Sequence, residues 1–285
     1  MSEKLISEGI EVSLGERLCS ARPLGRGCIG EVYKAELEDG STLVAKVDRE
    51  AESHLEREAY MLRYLRENSG LPVPEVYHGS ETLLLMEFIE GSSRFSKGSE
   101  HHAAELLASL HDVTVGAYGH ERNTLIGSLD QPNPWNESWV EFFREHRLLY
   151  LADVAHESGR LPAADRKRID RLAGKLDELI DEPDRPSLIH GDVWSANVLA
   201  NGDSISAFID PAIYHADREM ELAFISLFNS FGRDFLDRYR EIRGIRDGFE
   251  TRRDVYNLYP LLVHVYFFGG GYLGSVQNTL SRFGV

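Results

Sequence analysis

The stretch LIHGDVWSANVL, residues 188–199, decides the fold class of this chain, because it joins an apolar strand to a polar loop. The loop contains Asp192 and Asn197 in the pattern His-x-Asp-x4-Asn, and the apolar run at 207–209 then ends at Asp210. Carboxylate and amide oxygens of this kind suit Mg²⁺ and suit zinc poorly. The pattern therefore predicts Asn197 and Asp210 as Mg²⁺ ligands, with Asp192 beside them.

A glycine-rich segment lies near the N-terminus. Residues 25–32 read GRGCIGEV, which fits G-x-G-x-x-G-x-V, a loop whose backbone N–H groups can approach ATP phosphates. Gly25, Gly27, Cys28 and Gly30 are therefore candidate nucleotide contacts. A strand is predicted directly after the glycines, whereas a Rossmann site needs a helix there.

A lysine follows one hairpin later, in the predicted strand at 42–47. Lys46 occupies the place of the lysine that neutralises the α- and β-phosphates in kinases. Glu58, in the next predicted helix, is its expected ion-pair partner, with Glu52 and Glu56 as alternatives.

The order of these elements indicates phosphoryl transfer, in which Asp192 accepts the proton of the acceptor hydroxyl. Glu87 and Phe88 end an apolar strand where the two parts of the chain meet, and their backbone is expected to bind adenine. Glu221 and Arg218 are candidates to brace the metal loop. His111, His215 and His264 are predicted to be core histidines.

The distribution of predicted elements indicates an α+β fold with two lobes. Short strands and one helix fill residues 1–90, the β-rich N-lobe, and helices dominate residues 91–285, the larger C-lobe. The predicted strands are 16–24, 29–37, 42–47, 82–89, 187–189 and 205–209. The predicted helices are 51–68, 99–113, 139–158, 163–180, 219–231 and 251–268.

The composition excludes several classes of protein. The 285 residues are 42% hydrophobic and 10% aromatic, enough for a folded core. A net charge of -16 argues against a nucleic-acid or anionic-membrane partner, and no apolar run reaches the length of a membrane span. Cys19 and Cys28 are too few for a disulfide framework, and a cytoplasmic location is expected.

The acceptor is predicted to be a small molecule rather than a peptide. Residues 211–218 alone separate Asp210 from the next predicted helix, and no Ala-Pro-Glu anchor follows. Trp194 stands where Ser/Thr protein kinases typically have lysine.

Several segments resemble the fructosamine/ketosamine 3-kinase family. HGDVWSAN at 190–197 is similar to the family's HGDLWSGN block, with Val193 for Leu and Ala196 for Gly. IDPAIY at 209–214 with REMELA at 218–223, and WNESWVEFFREHRL at 135–148, resemble two further family motifs. Cys28 lies in a GCI sequence like the family's GCIS, with Gly30 in place of Ser. The resemblance runs from about residue 20 to the C-terminus.

This resemblance implies a protein-kinase-like fold and ATP- and Mg²⁺-dependent phosphorylation of the sugar O3 of a ketosamine or glycated lysine. The phosphorylated products of the family decompose and release the amine, which amounts to deglycation. Trp194 and Tyr214 are expected substrate contacts, with bracing of the loop as the alternative role of Trp194. We expect a monomer or a weak homodimer.

Two other functions stay open on the sequence alone. One is a kinase of the same fold that acts on choline, an aminoglycoside or homoserine, and the other is a non-catalytic nucleotide-binding scaffold. Cys28 is a candidate redox switch through its thiol on the glycine loop, or else an inert small residue.

Overall fold

The N-terminal part of the chain is an antiparallel sheet with a helix on each face. The structure, a computed structural model, describes residues 2–26, 30–49 and 54–285. The five strands have the order β1-β2-β3-β5-β4, and every neighbouring pair is antiparallel. Their bounds are β1 Leu18–Arg26, β2 Glu31–Leu37, β3 Thr42–Val47, β4 Val76–Gly79 and β5 Leu83–Glu87, with helices α1 Ser2–Leu14 and α2 His54–Asn68.

The alternation of side chains along β5 explains why both faces of the sheet are covered. Leu83 and Leu85 pack in one buried cluster with Ile6 and Ile10 of α1. Leu84 and Met86, one residue out of phase, pack in another cluster with α2. Successive side chains of a strand point to opposite faces, so both faces become buried.

A tight turn joins β2 to β3. Gly40 has a φ of +86°, which glycine adopts without steric cost. The Ser41 N–H donates to Asp39 Oδ1 at 2.8 Å and closes the turn. This hairpin fixes the register that brings Val32 opposite Lys46.

The remainder of the chain is mainly helical. Its helices are α3 Lys97–Leu110, α4 Trp139–Phe143, α5 Tyr150–Glu157, α6 Ala163–Ala173, α7 Leu176–Leu179, α8 Glu219–Phe228, α9 Arg233–Arg243, α10 Phe249–Tyr256, α11 Leu258–Phe268 and α12 Gly271–Arg282. Three two-stranded sheets are inserted, formed by β6 Thr124–Ile126 with β7 Leu129–Gln131, β8 Ser187–Ile189 with β11 Tyr214–Ala216, and β9 Val198–Asn201 with β10 Ser204–Phe208.

Three predicted helices are interrupted. The helix expected over 139–158 contains a π-helical segment, Arg144–Leu149, between α4 and α5. The helix over 163–180 breaks after Ala173, beside Gly174. The helix over 251–268 restarts at Leu258 because Pro260, which lacks an N–H, is tolerated in the first turn of a new helix.

The core is continuous between the sheet and the helices. One buried cluster contains Leu62 of α2, Leu84 of β5, Leu107 of α3 and Leu188 of β8. The lobe boundary near residue 90 stays a prediction. Within the described residues, no helix combines the length and the apolar character needed to cross a membrane.

Candidate active site

Lys46 lies at the centre of the site because of its phase along β3. Val44 and Lys46 project on the opposite face from Leu43, Ala45 and Val47, which pack toward α1. Lys46 Nζ lies 2.6 Å from Glu58 Oε1 and 2.5 Å from Asp210 Oδ1. The structure therefore brings the predicted lysine together with Glu58 of α2 and with the carboxylate at the end of β10.

The lysine and the two carboxylates of this cluster each stabilise the charged form of the other. Burial acts to lower the pKa of Lys46, but the charges of Asp210 and Glu58 outweigh it and raise that pKa above its ordinary value. Burial raises the pKa of Glu58, and the charge of Lys46 opposes that shift. Lys46 is therefore held as a cation at the edge of the cleft.

In the polar loop after β8, Gly191 cannot be replaced by a residue with a Cβ without strain. Gly191 has a φ of +84°, and a Cβ built there would lie 2.2 Å from the carbonyl oxygen of Ala212. Asn197 then donates from Nδ2 to the backbone oxygen of Asp192 at 3.0 Å and to its Oδ2 at 2.9 Å. These contacts hold the predicted base and the predicted metal ligand in one rigid turn.

The Asp192 carboxyl has an altered acidity. Burial, together with the charge of Asp210, raises its pKa to about 8, and the hydrogen bond from Asn197 acts in the opposite direction. A carboxylate with such a pKa is a stronger base than a solvated aspartate, as proton abstraction from a hydroxyl requires.

A buried hydrogen-bond chain supports this loop from behind. Gly191 N–H donates to Glu221 Oε1 at 2.7 Å, and Glu221 Oε2 lies 2.9 Å from His111 Nε2. The other ring nitrogen of His111 lies 2.6 Å from the Tyr239 hydroxyl. The sequence suggested Glu221 as a brace and His111 as a core residue, but it gave no signal that linked them to Tyr239.

The backbone after Asp210 has a second set of supports that sequence reasoning missed. Asp210 itself has a φ of +52°, a left-handed conformation that is costly for a residue with a Cβ. Gln131 donates to the carbonyl oxygen of Ala212 at 3.0 Å, and Thr124 donates to that of Ile213 at 3.0 Å. Both supports come from the β6–β7 hairpin, for which the sequence gave no strand pattern.

The oxygen atoms left over in this cluster fit Mg²⁺. Asn197 uses its amide nitrogen, Nδ2, in the contacts to Asp192. Its amide oxygen, Oδ1, has no hydrogen-bond partner among the described residues and is available to a metal ion. Asp210 uses Oδ1 for Lys46, which leaves Oδ2. No group of three or more His, Cys, Asp and Glu side chains in the described ranges could hold a metal alone. This agrees with the usual Mg²⁺ arrangement, in which one or two protein ligands act with phosphates and water.

A cleft of about 830 Å³ opens next to Lys46 and Asp210. Its walls are largely apolar and come from both the sheet and the C-terminal part, including Leu24, Val32, Val44, Met86, Leu199 and Ile209. The Glu87 N–H donates to the Glu75 carbonyl at 2.8 Å, whereas Phe88 and Ile89 make no backbone hydrogen bond to another described residue. Phe88 and Ile89 therefore have backbone groups available to a planar ring in the cleft.

The glycine segment is described in part. Gly25 pairs with Val32 across β1 and β2. Gly30 has a φ of +66°, and a Cβ there would lie 2.2 Å from the Val47 carbonyl oxygen, so the strand can turn back only with glycine. Gly27 and Cys28 lie outside the described residues, and so does the proposed redox role of Cys28.

Comparison with known proteins identifies the family. The model of the fructosamine kinase family matches residues 2–283. The chain belongs to the fructosamine kinase family. It is 33% identical to a Synechocystis protein named "Probable ketoamine kinase", over 97% of this chain and 95% of that protein. It is 30% identical to a chloroplastic protein-ribulosamine 3-kinase of Oryza sativa subsp. indica, over 94% of this chain and 79% of that protein.

Solved structures agree with this assignment. A "putative fructosamine-3-kinase" from Thermobifida fusca has a TM-score of 0.87 and 29% identity, over 97% of each chain. The aminoglycoside phosphotransferase APH(4)-Ia, solved with AMP-PNP and hygromycin B, has a TM-score of 0.71 and 17% identity, over 98% of each chain, and so shares the fold. The predicted family, the α+β kinase-like fold and the phosphotransferase class are confirmed.

This fructosamine kinase family member has a second cavity beside Asp192. The cavity measures about 250 Å³ and lies among β6, α8, α11 and α12. Trp194, with 41% of its surface exposed, lines this cavity, as does His264, which the sequence had placed in the core. Tyr214 is buried against Arg147 and does not line it. The structure thus gives Trp194, but not Tyr214, a place where an acceptor could touch it.

Proposed function

We propose that this kinase transfers the γ-phosphoryl group of ATP to the O3 hydroxyl of a ketosamine, with Mg²⁺ bound at Asn197 and Asp210. The observation that carries the proposal is the junction of Lys46, Glu58 and Asp210 next to the Asp192–Asn197 turn. The names of the relatives as ketoamine and ribulosamine kinases support the class of acceptor.

The roles of the residues follow from their places. The cleft between the sheet and Leu199 accepts the adenine, with hydrogen bonds from the backbone next to Glu87 and Phe88. Gly25, Gly27, Cys28 and Gly30 cover the phosphates, and Lys46, oriented by Glu58, neutralises them. The proposed nucleotide site consists of Gly25, Gly27, Cys28, Gly30, Lys46, Glu58, Glu87, Phe88 and Leu199.

The chemical step needs a base and charge neutralisation. Asp192 orients the O3–H group and takes its proton as O3 bonds to the γ-phosphorus. The bond between that phosphorus and the β,γ-bridging oxygen breaks, and ADP leaves. Bound Mg²⁺ offsets the negative charge of the phosphates. Lys46 adds a fixed positive charge on the same side of the cleft.

The acceptor site follows from the position of Asp192 between two cavities. Lys46 and Asp210 line the larger cavity, and Asp192 and Trp194 line the smaller one. An acceptor in the smaller cavity would present its hydroxyl to Asp192 and face the nucleotide across it. Trp194 then packs against the sugar or its amine carrier, and Tyr214 supports the site from the core.

The first test is ATP consumption in the presence of Mg²⁺ with ribuloselysine, fructoselysine, choline and kanamycin. Asp192→Asn serves as the inactive variant, and Asp184→Asn, an exposed aspartate of the same lobe, serves as the matched control. We expect turnover of a ketosamine by wild type and Asp184→Asn, with a loss of at least about 100-fold in Asp192→Asn.

Two results would contradict the proposal. Turnover of choline or kanamycin alone would keep the chemistry and replace the acceptor. Binding of ATP, seen as a rise of the melting temperature with ATP and Mg²⁺, without turnover of any of the four acceptors would favour the nucleotide-binding scaffold. The cytoplasmic location, the oligomeric state and the redox role of Cys28 remain predictions.

A further inference from the structure

The smaller cavity has a wall made almost entirely of aromatic rings. His264 is at its centre, with ring centroids of Phe228 at 4.9 Å, Tyr272 at 4.8 Å and Phe268 at 5.6 Å. Phe268 is 64% exposed, so this aromatic wall, formed by Phe228, His264, Phe268 and Tyr272, reaches the solvent. An exposed aromatic cluster of this kind beside a catalytic base indicates a ligand site.

The hydrogen bond made by Nδ1 of His264 determines whether Nε2, the other ring nitrogen, can accept a hydrogen bond from a ligand. Its Nδ1 lies 2.8 Å from the Pro260 carbonyl, which can only accept, so Nδ1 carries the proton. Burial lowers the pKa of His264, so the ring is neutral at pH 7. Within the described part of the chain, Nε2 has no hydrogen-bond partner. The aromatic wall therefore contains one hydrogen-bond acceptor that a ligand could use.

The charges around the cavity favour a cation. Asp192 is the one acidic side chain among the described lining residues, and no lysine or arginine lines the cavity. Ring faces carry negative electrostatic potential and attract a cation within about 6 Å of their centroids. An anionic group in this cavity would face a carboxylate and ring faces without a compensating positive side chain.

We propose that the aromatic wall binds the protonated secondary amine of the acceptor, and thereby selects ammonium-bearing sugars over uncharged ones. This inference rests on the proposed function. In a ketosamine the amine nitrogen is four bonds from O3, and bonds of about 1.5 Å place it within about 5 Å of that oxygen. When O3 contacts Asp192, the nitrogen must therefore lie near Asp192, and the aromatic wall is the surface that meets it there.

Each group on the wall has a defined part. The ammonium donates one hydrogen bond to His264 Nε2 and lies against the faces of Phe268 and Tyr272. Trp194 also lines the cavity. His264 is therefore proposed to determine specificity. The sequence instead predicted it to be a core histidine.

The test uses two probes that differ in one group. They are 1-butylamino-1-deoxy-D-fructose, which is an ammonium at pH 7, and the ether 1-O-butyl-D-fructose, which has the same chain without charge. We expect kcat/KM to favour the amine by at least about 10-fold. Calorimetric binding of both probes with a non-hydrolysable ATP analogue present should show the same preference.

Variants of the wall separate charge recognition from shape. Tyr272→Leu, Phe268→Leu and His264→Leu should each reduce the preference for the amine by roughly 5-fold or more, since cation–π contacts carry about that weight. Their KM for ATP should not change. Trp135→Leu, an exposed tryptophan outside the cavity, should leave the preference unchanged. Melting temperatures confirm that each variant is folded.

The outcomes distinguish this inference from the proposed function. Equal kcat/KM for amine and ether, or wall variants that weaken both probes equally, would overturn the inference and leave the kinase reaction intact. If neither probe is phosphorylated but the amine still binds more tightly, the inference holds and the proposed reaction is wrong. If neither probe is phosphorylated and the two bind equally or not at all, both are wrong.

Discussion

Lys46 connects two carboxylates that belong to distant parts of the chain. Glu58 comes from the helix on the sheet, and Asp210 comes from the end of β10. Lys46 and Glu58 are buried and Asp210 is part-exposed, and their burial is tolerated because each carboxylate meets the same ammonium. The contact therefore serves both to orient the lysine and to join the sheet to the metal loop.

Replacement of Lys46 by Met should lower kcat by about 100- to 1000-fold, as the loss of one preorganised charge usually does. It should also destabilise the fold, because Glu58 would remain buried without its cation. Steady-state kinetics and urea unfolding measure the two effects. Lys97→Met, an exposed lysine of α3, is the control and should behave as wild type. Full activity of Lys46→Met would contradict the assigned role.

Glu221 offers a test of positioning. It accepts from the Gly191 N–H and pairs with His111, which in turn contacts the Tyr239 hydroxyl. Glutamine supplies one acceptor oxygen where two are needed, so Glu221→Gln should cost about 1–3 kcal/mol of stability. We expect kcat to fall about 10- to 100-fold through displacement of the loop, with the KM for ATP unchanged.

The control for that substitution is Glu105→Gln, an exposed glutamate of α3 that pairs with Arg238. It should leave both stability and kcat close to wild type. A Glu221→Gln enzyme that loses stability without losing kcat would show that the hydrogen-bond chain supports the fold alone.

Helix α1 stabilises the sheet although the sequence did not predict it. Ile6 and Ile10 are fully buried against the sheet, and Gly9 allows the close approach, since a Cβ there would lie 2.2 Å from Leu83. Ile10→Ala should lower the free energy of unfolding by about 2–4 kcal/mol through the lost burial and the cavity. Val12, 83% exposed on the same helix, is the control, and Val12→Ala should change the free energy of unfolding by less than about 0.5 kcal/mol.

Equal effects of the two substitutions, measured by urea unfolding, would mean that α1 does not pack on the sheet in solution. The expected contrast depends only on burial, because both side chains are β-branched and lie within one turn of the same helix.

The elements that could be predicted are those with strong local patterns. The bounds 42–47 and 187–189 are correct because apolar runs there border a turn or the polar loop. Helix α1 was missed because its apolar face is short and set among charges. The aromatic wall could not be predicted either, since Phe228 and His264 are brought together by packing of α8 on α11, which no local pattern encodes.

The two parts of the chain also meet through a cluster of histidines and tyrosines. His120 and His215 stack with centroids 5.7 Å apart, and Tyr60 of α2 contacts His120 at 2.8 Å. Burial lowers the pKa of both histidines to about 4, and for His120 the charge of His215 acts in the same direction. Both rings are therefore neutral in the folded protein at pH 7.

This cluster predicts a loss of stability on acidification. Above pH 6.5 the histidines are neutral in both states, so their contribution is fully present. Between pH 6.5 and pH 4 the unfolded chain binds more protons, and stability falls by up to about 1.4 kcal/mol per pH unit for each histidine. His215→Gln should flatten this slope in urea unfolding, and His101→Gln, a control without a described contact, should not. Identical slopes for all three proteins would contradict the assignment.

The central claim is that the molecule phosphorylates a ketosamine at O3 with Asp192 as the base. It is tested most directly by the position of the phosphate in the product, read by ³¹P–¹H correlation spectroscopy after reaction of 1-butylamino-1-deoxy-D-fructose with ATP and Mg²⁺. The account predicts a correlation to the proton on C3, with no product from Asp192→Asn. A phosphate on any other oxygen, or the same product from Asp192→Asn, would contradict it.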